Sequence, residues 1–284
     1  MKKLVSILMA SLCAVSLMAG CSSSDGASSS SSSAASSSAA TSEGATSETA
    51  EGTKEFKLGF DAEYPPYGYM DENGEYTGFD LELAQAVCDT YGWTFVPVPI
   101  NWDSKDMELN SGSIDCIWNG FTIEGREDDY TWSEPYVNNS QVILCSEDSG
   151  INTLADLAGK TVGVQAASSA LDALQGDQAD LAATFGALQE FGDYNSAFIE
   201  LQAGSIDAVA MDIGVANYQV ESRGEGYKVL DETISTERYG IAFKKGNEEL
   251  RDQVQEAITQ LTEDGTVDEL AEKYGISDLV CLGE

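Results

Sequence analysis

The sequence predicts an α/β fold built as two related lobes, and three observations lead there. Along residues 54–284, runs that alternate apolar and polar side chains are interleaved with runs whose apolar residues recur at helical spacing. One ten-residue pattern occurs twice. The length of this segment suits one large domain or two small ones.

The elements follow in order. Phe56, Leu58 and Phe60 alternate with smaller or polar neighbours, as in a first strand. Leu83, Ala84, Val87 and Tyr91 recur at helical spacing, with Asp80 placed to cap the start and Gly92 to stop the helix. The apolar run 95–98 contains Pro97, which has no N–H for a neighbouring strand, so an edge strand is predicted there. Further strands are predicted over 114–118, 141–145, 161–165, 206–211 and 239–243. Leu250, Val254, Ile258 and Leu261 line one face of a late helix that Gly265 ends. Thr266 and Glu269 have the spacing of a capping box for a last short helix. Strands alternating with helices imply largely parallel sheets.

The repeated pattern sharpens the two-lobe reading. LNSGSIDCIW at 109–118 is echoed by LQAGSIDAVA at 201–210, 92 residues later. Each copy joins a helix end, a glycine at the C-cap and a β-branched strand start. Helix–glycine–strand junctions recur in any α/β protein, so duplication and coincidence both stand; two lobes are expected either way, because the second copy follows a fresh run of strands. Ligands of open α/β sheets bind at the carboxyl ends of strands. That directs attention to residues 119–122 and to Asp212.

The first residues set the compartment. Lys2 and Lys3 precede an apolar stretch over 4–18, and Ala19 and Gly20 precede Cys21, as in a signal peptide covering 1–20. LMAGC resembles the bacterial lipobox, which makes Cys21 the lipid-modified first residue of the mature chain and anchors it extracytoplasmically to the cell membrane. Residues 22–53 are mostly Ser, Ala, Thr and Gly, without a large apolar side chain to offset roughly 1–2 kcal/mol of backbone entropy per residue. With Cys21 they are expected to form a disordered tether.

Composition excludes several functions. Removal of Lys2 and Lys3 from 14 basic residues leaves 12 against 49 acidic ones, a formal charge of −37. Such a surface repels phosphate backbones, so nucleic acid is not an expected partner. The chain has no histidine, the commonest general base and metal ligand. Cys88 and Cys116 fall within helix-like and strand-like patterns and are expected as buried thiols. Cys145 and Cys281 are left either bridged or separate; no cysteine spacing matches a metal motif.

The predicted strand ends carry the groups that a free α-amino acid needs. Gly120, Phe121 and Thr122 with nearby Arg126 offer N–H groups, a hydroxyl and a guanidinium fork for a carboxylate. Ala167, Ser168 and Ser169 follow the strand at 161–165 and open a helix, another place for an anion. Asp212 ends the second copy of the repeat and could accept an ammonium. Tyr64, in AEYPPYGY, supplies an aromatic wall held by two prolines.

Residues 55–276 resemble the polar amino-acid binding family of bacterial ABC importers, extracellular solute-binding protein family 3. The matching stretches are DAEYPPYGY with GFDLELAQAV, SGSIDCIWNGFTI–GR, WSEPY, LADLAGKTVGVQAASSA, GSIDAVAMD and EDGTVDELAEKYG. The resemblance implies a periplasmic-binding-protein fold: two lobes, 54–137 with 241–284 and 142–236, joined by hinge crossings at 137–142 and 236–241. It gives Arg126, Thr122, Gly120, Ser168 and Ser169 the ligand carboxylate and Asp212 the ammonium. Tyr64 and Trp102 would sandwich the ligand, Asp61 would stand near its side-chain end, and Asn119, Gln165 and Met211 would tune selectivity. Arg126 is aligned through the spacing to WSEPY, and Ala167 replaces a frequent glycine.

The implied protein is a monomeric, non-enzymatic receptor that needs no cofactor. Its partners would be a free amino acid, a membrane permease driven by a separate ATPase, and the bilayer through Cys21. A dehydratase of cyclic amino-acid precursors on the same scaffold and a sensor lipoprotein are the alternatives. Polar, cationic and cystine-like ligands all remain open.

Overall fold

The computed structural model describes residues 53–283. The signal peptide, Cys21 and the tether up to residue 52 lie outside the described residues.

The chain opens with β1 (Glu55–Phe60), three short strands β2 (Glu63–Tyr64), β3 (Gly68–Met70) and β4 (Tyr76–Thr77), and helix α1 (Phe79–Tyr91). It continues through β5 (Thr94–Pro99), α2 (Lys105–Ser111), β6 (Cys116–Thr122) and β7 (Thr131–Trp132). A long strand, β8 (Val137–Ser146), leads into β9 (Thr161–Gln165), α3 (Ser169–Gln175), α4 (Ala179–Ala182), β10 (Ala187–Phe191) and α5 (Tyr194–Gln202). Then come β11 (Ala208–Asp212), α6 (Ile213–Arg223), β12 (Tyr227–Val229), a second long strand β13 (Ser235–Phe243), α7 (Glu248–Glu263) and α8 (Thr266–Lys273).

One sheet runs in the order β10-β9-β11-β8-β13-β6-β1-β5, with β12 against β8 and β7 against β13. Its two ends are built alike. In each, the first strand (β1 or β9) pairs in parallel with both later ones, β5 and β6 or β10 and β11. The repeated sequence supplies the same junction at both ends. Asp115 accepts the Lys57 N–H at 2.8 Å, and Asp207 accepts the Thr161 N–H at 2.8 Å. Ile114 packs over Gly59 as Ile206 packs over Gly163, each so closely that a β-carbon on the glycine would collide with it. Sequence similarity here is similarity of packing, with a small residue on one strand receiving the isoleucine beside the next.

The expectation of largely parallel sheets is only half met. Antiparallel pairs arise wherever β8 and β13 take part. Val137–Gln141 of β8 pairs with Tyr239–Ser235 of β13, while the far half of β8 pairs with β11 and the far half of β13 with β6. These two strands therefore connect the two parallel ends. Both are longer than predicted, because their first halves are polar and do not read as strand.

Burial follows the predicted faces. Leu83, Ala84 and Val87 of α1 and Val254 and Ile258 of α7 pack in one cluster with Phe56, Leu58 and Phe60 of β1. A second cluster gathers Val162 and Val164, Ala170 and Leu174, and Ala208 and Ala210. Burying each large aliphatic side chain contributes about 1.5–3 kcal/mol. Pro97 lies on β5, at the sheet edge as expected.

Some local expectations are corrected. Gly78, not Asp80, stands at the start of α1; Asp80 turns inward instead, fully buried. Gly92 does end that helix in the left-handed conformation. Thr266 gives its hydroxyl to Asp264 rather than forming a capping box with Glu269, and α8 starts after Gly265. Strand β6 begins at Cys116 and runs through Thr122, so Gly120, Phe121 and Thr122 lie within it rather than beyond it. β10 escaped prediction because an edge strand with mostly exposed side chains carries no apolar alternation. Cys145 and Cys281 do not bridge: the Cys145 sulfur is buried against the Ile151 carbonyl at 3.9 Å, and the Cys281 N–H bonds the Tyr136 carbonyl at 3.0 Å. Cys88 and Cys116 are buried as expected.

Candidate functional site

The carboxyl ends of β1, β6, β9 and β11 converge on one small cavity. It is lined by Tyr64, Trp102, Asn119, Gly120, Phe121, Thr122, Arg126, Gln165, Ser168, Ser169 and Asp212. Ten of these eleven are residues to which the resemblance gives a ligand role; the eleventh, Phe121, was named only with the backbone of its neighbours. The space among the side chains is about 20 Å³, room for about one water. A ligand the size of an amino acid fits only when the two walls part.

One wall is cationic and aromatic. The Arg126 guanidinium stands 5.3 Å from the Phe121 ring centroid, donates to the Thr122 carbonyl at 3.4 Å and forms an ion pair with Asp172 of α3. Trp102 meets Phe121 edge to face at 5.3 Å, and Tyr64 lies 5.9 Å from Tyr194. Lys105 was not expected here. It is 5 % exposed, donates to the carbonyls of Trp102 and Ala167 at 3.3 and 3.4 Å, and burial lowers its pKa. Nothing in a helix-forming KDMEL segment marks such a lysine as buried.

The opposite wall is anionic. Asp212, at the end of β11, accepts Asn139 Nδ2 at 2.7 Å, Gln141 Nε2 at 2.6 Å, the Tyr239 hydroxyl at 2.6 Å and the Tyr194 hydroxyl at 3.2 Å. No described lysine or arginine forms an ion pair with it. Ser168 begins α3, where its Oγ accepts the Leu171 N–H at 3.2 Å and donates to the Gln165 carbonyl at 2.7 Å. Its hydroxyl is thus used as a helix cap. The Ser169 hydroxyl points instead to Glu237 of β13 at 3.0 Å.

Gly120 shows why the sequence needs glycine inside β6. Its φ is +57°, and a β-carbon there would lie 2.9 Å from ring atoms of both Tyr64 and Tyr239. Its N–H is held by the Asp80 carboxylate at 2.8 Å. Burial pushes the Asp80 carboxyl up to about 7 against the lowering effect of its bonds to Tyr136 and Gly120. Gly120→Ala is expected to destabilise the fold by about 1–3 kcal/mol through left-handed strain and displacement of both rings. A thermal melt should fall by roughly 2–4 °C per kcal/mol. Ala167, at the position of a frequent family glycine, has φ 54° and so carries the same kind of strain beside the cleft.

Asp61, Asn119 and Gln165 form a connected group. Gln165 Nε2 donates to Asp61 at 2.6 Å, and Asn119 Oδ1 accepts the Asp61 N–H at 3.0 Å. Burial raises the Asp61 carboxyl to about 6. Asp61 lines not the small cavity but its larger neighbour of about 470 Å³, which shares Trp102 with it and also holds Glu63, Asp103 and Asp193. Met211 is fully buried in the core and lines neither space. Of the residues missed by sequence reading, Lys105 lies on α2, while Asn139, Gln141, Glu237 and Tyr239 lie on the connecting strands β8 and β13. Polar residues at strand positions carry no signal until the pairing that buries them is known.

Known proteins share this fold. The L-cystine-binding protein TcyJ of Escherichia coli is 30 % identical over 225 residues, covering 78 % of this chain and 83 % of that protein. An ABC uptake transporter substrate-binding protein from Streptococcus pneumoniae, solved with bound histidine, superposes with a TM-score of 0.75 at 34 % identity, covering 78 % of this chain and 92 % of that one. The ancestral amino acid-binding protein AncCDT-1, a precursor of cyclohexadienyl dehydratase, gives 0.71 at 32 % identity, with coverage of 78 % and 95 %. The model of bacterial extracellular solute-binding proteins, family 3, matches residues 56–277, which takes in both ends of the sheet and the cavity between them. This chain belongs to the bacterial extracellular solute-binding proteins, family 3.

Proposed function

We propose that the chain is a lipid-anchored extracytoplasmic receptor that closes around one free amino acid and delivers it to the membrane permease of an ABC importer. The observation that carries this reading is the placement of opposite charges across one cavity. Arg126, from the β6 side, and Asp212, from the β11 side, both line that one cavity. A zwitterion is the ligand whose charges match that pair. Thr122 and Ser169, one from each side, offer hydroxyls to the carboxylate, and Ser168 offers backbone beside it; the Gly120 N–H is already held by Asp80, so Gly120 serves by leaving room rather than by donating to the carboxylate. Tyr64 and Trp102 form the apolar walls. The ligand frees Arg126 from Asp172 as it takes that ion-pair position.

Parting of the walls is assigned to the two connecting strands, with hinges at 137–142 and 236–241 and lobes of 54–137 with 241–284 and of 142–236. Their polar first halves, paired with each other between the two parallel ends, support that assignment. Asp61, Asn119 and Gln165 face the ligand's side chain, beside an acidic space that suits a polar or cationic group. Cys21 holds the receptor at the membrane, and residues 22–53 let it reach the permease. Among the described residues no helix is long and apolar enough to cross a membrane. The permease and its separate ATPase supply the transport step.

Isothermal titration with the twenty amino acids and L-cystine tests the reading. Binding to at least one, at a micromolar Kd equivalent to about −8 kcal/mol, is expected. Silence toward all of them overturns it.

A further inference from the structure

Glu237 lies behind the cleft rather than in it, yet it controls two groups that line it. Its Oε1 accepts the Thr122 hydroxyl at 2.9 Å and the Ser169 hydroxyl at 3.0 Å, from opposite sides of the cavity. The same oxygen accepts Asn139 Nδ2 and Gln141 Nε2, both at 2.7 Å. Those two amides also bond Asp212, so the carboxyl groups of Asp212 and Glu237 share their donors. Glu237 is 7 % exposed, and no described lysine or arginine pairs with it. Arg238, next along β13, is turned to Glu124 at 2.8 Å.

The direction of the two hydroxyl hydrogens follows. A carboxylate can only accept, so an ionised Glu237 draws both hydrogens away from the cavity and leaves Thr122 and Ser169 presenting lone pairs. Lone pairs repel a ligand carboxylate. For both hydroxyls to donate to a ligand, Glu237 must stop being a strong acceptor. Protonation does this with the side chain in place. A cavity of about 430 Å³ behind the connecting strands, lined by Glu237, Asn139 and Arg238, gives protons a route that does not pass through the cleft.

We propose that Glu237 is a proton-accepting positioning residue, and that capture of the amino acid's carboxylate by Thr122 and Ser169 draws one proton from solvent onto Glu237, which is returned on release. This rests on the amino-acid reading above. The groups facing Glu237 act in both directions. Asp212 on β11 adds a like charge; Thr122 on β6, Ser169 on α3, and Asn139 and Gln141 on β8 are neutral donors. Tyr239 on β13 and Tyr194 on α5 give their hydroxyls to Asp212, while Glu124 and Arg238 form a pair of zero net charge at the rear cavity. Burial first, and then Asp212, raises the Glu237 pKa, against the lowering effect of the hydrogen bonds from Gln141, Asn139 and Thr122. In the other direction, the ligand's ammonium at Asp212 favours ionised Glu237, so net uptake requires the hydroxyl effect to exceed it.

Titration calorimetry of the whole protein with L-arginine, L-histidine, L-glutamine and L-cystine, in buffers of low and high ionisation enthalpy from pH 5 to 8, tests this. Net proton uptake is expected, with affinity falling as pH rises, by at most about tenfold per pH unit for one proton. Glu237→Gln imitates the protonated side chain. It should bind without proton uptake, with affinity independent of pH and at pH 8 equal to or above that of wild type. A merely structural role predicts weaker binding by Glu237→Gln with the pH profile unchanged, and that result overturns the proposal. Binding by wild type without proton uptake, or with proton release, overturns it and leaves the amino-acid reading intact. If wild type binds none of the four ligands, the proposal is overturned along with amino-acid binding of these classes.

Discussion

Arg126→Ala is expected to weaken amino-acid binding about 100- to 1,000-fold, the largest loss from any single truncation on the β6 side of the cleft. The size follows from what is left behind. Removing one partner of a buried, hydrogen-bonded charge pair costs about 2–5 kcal/mol, and each 1.4 kcal/mol is tenfold. The ligand carboxylate would enter a cavity whose lining then holds Asp212 and no cation. Stability should barely change. In the ligand-free fold Arg126 pairs with Asp172, whose side chain is 62 % exposed, and exposed pairs contribute only about 0–1 kcal/mol. Arg126→Lys should fall between, because it keeps charge but loses the two-pronged geometry. Calorimetric Kd values beside thermal melts check both statements. A Kd within about threefold of wild type in Arg126→Ala would remove Arg126 from the site.

The legibility of this molecule in its sequence tracks the source of each signal. Apolar periodicity reports burial against a core, and it located β1, α1, β9, β11 and α7. The repeated SGSID and GSIDA stretches were legible because an identical junction, an isoleucine over a glycine and an aspartate on a backbone N–H, recurs at both ends of the sheet. Glycines forced into left-handed geometry, such as Gly92, read as helix stops for steric reasons. The polar first halves of β8 and β13 were illegible. Asn139 and Glu237 look like loop residues and Gln141 like the start of a strand, and only strand pairing across nearly a hundred residues buries them together. Ser168 shows a different limit: the motif marked the right place, but capping and ligand contact call for the same residue type.

Asp212→Asn should separate binding from stability more sharply than any other substitution. Asp212 is 3 % exposed and receives four hydrogen bonds, so truncation to alanine would strand donors, at about 1–3 kcal/mol for each that finds no other partner. Asparagine avoids this. Its carbonyl can still accept Asn139, Gln141 and Tyr239, which all bond one carboxylate oxygen, Oδ1. Its amide would face Tyr194, the longest contact at 3.2 Å, whose hydroxyl can turn to accept. The exchange also relieves repulsion between two buried carboxyl groups that share donors, so the melting temperature should stay within about 4 °C or rise. Binding should collapse nonetheless. The ligand's ammonium would meet a neutral amide where it now meets a charge, and the loss should be about 100-fold or more in Kd. A des-amino analogue of the same ligand gives the internal control, since its affinity should hardly depend on Asp212. If Asp212→Asn weakened both compounds equally, the residue would be shaping the cleft rather than reading the ammonium.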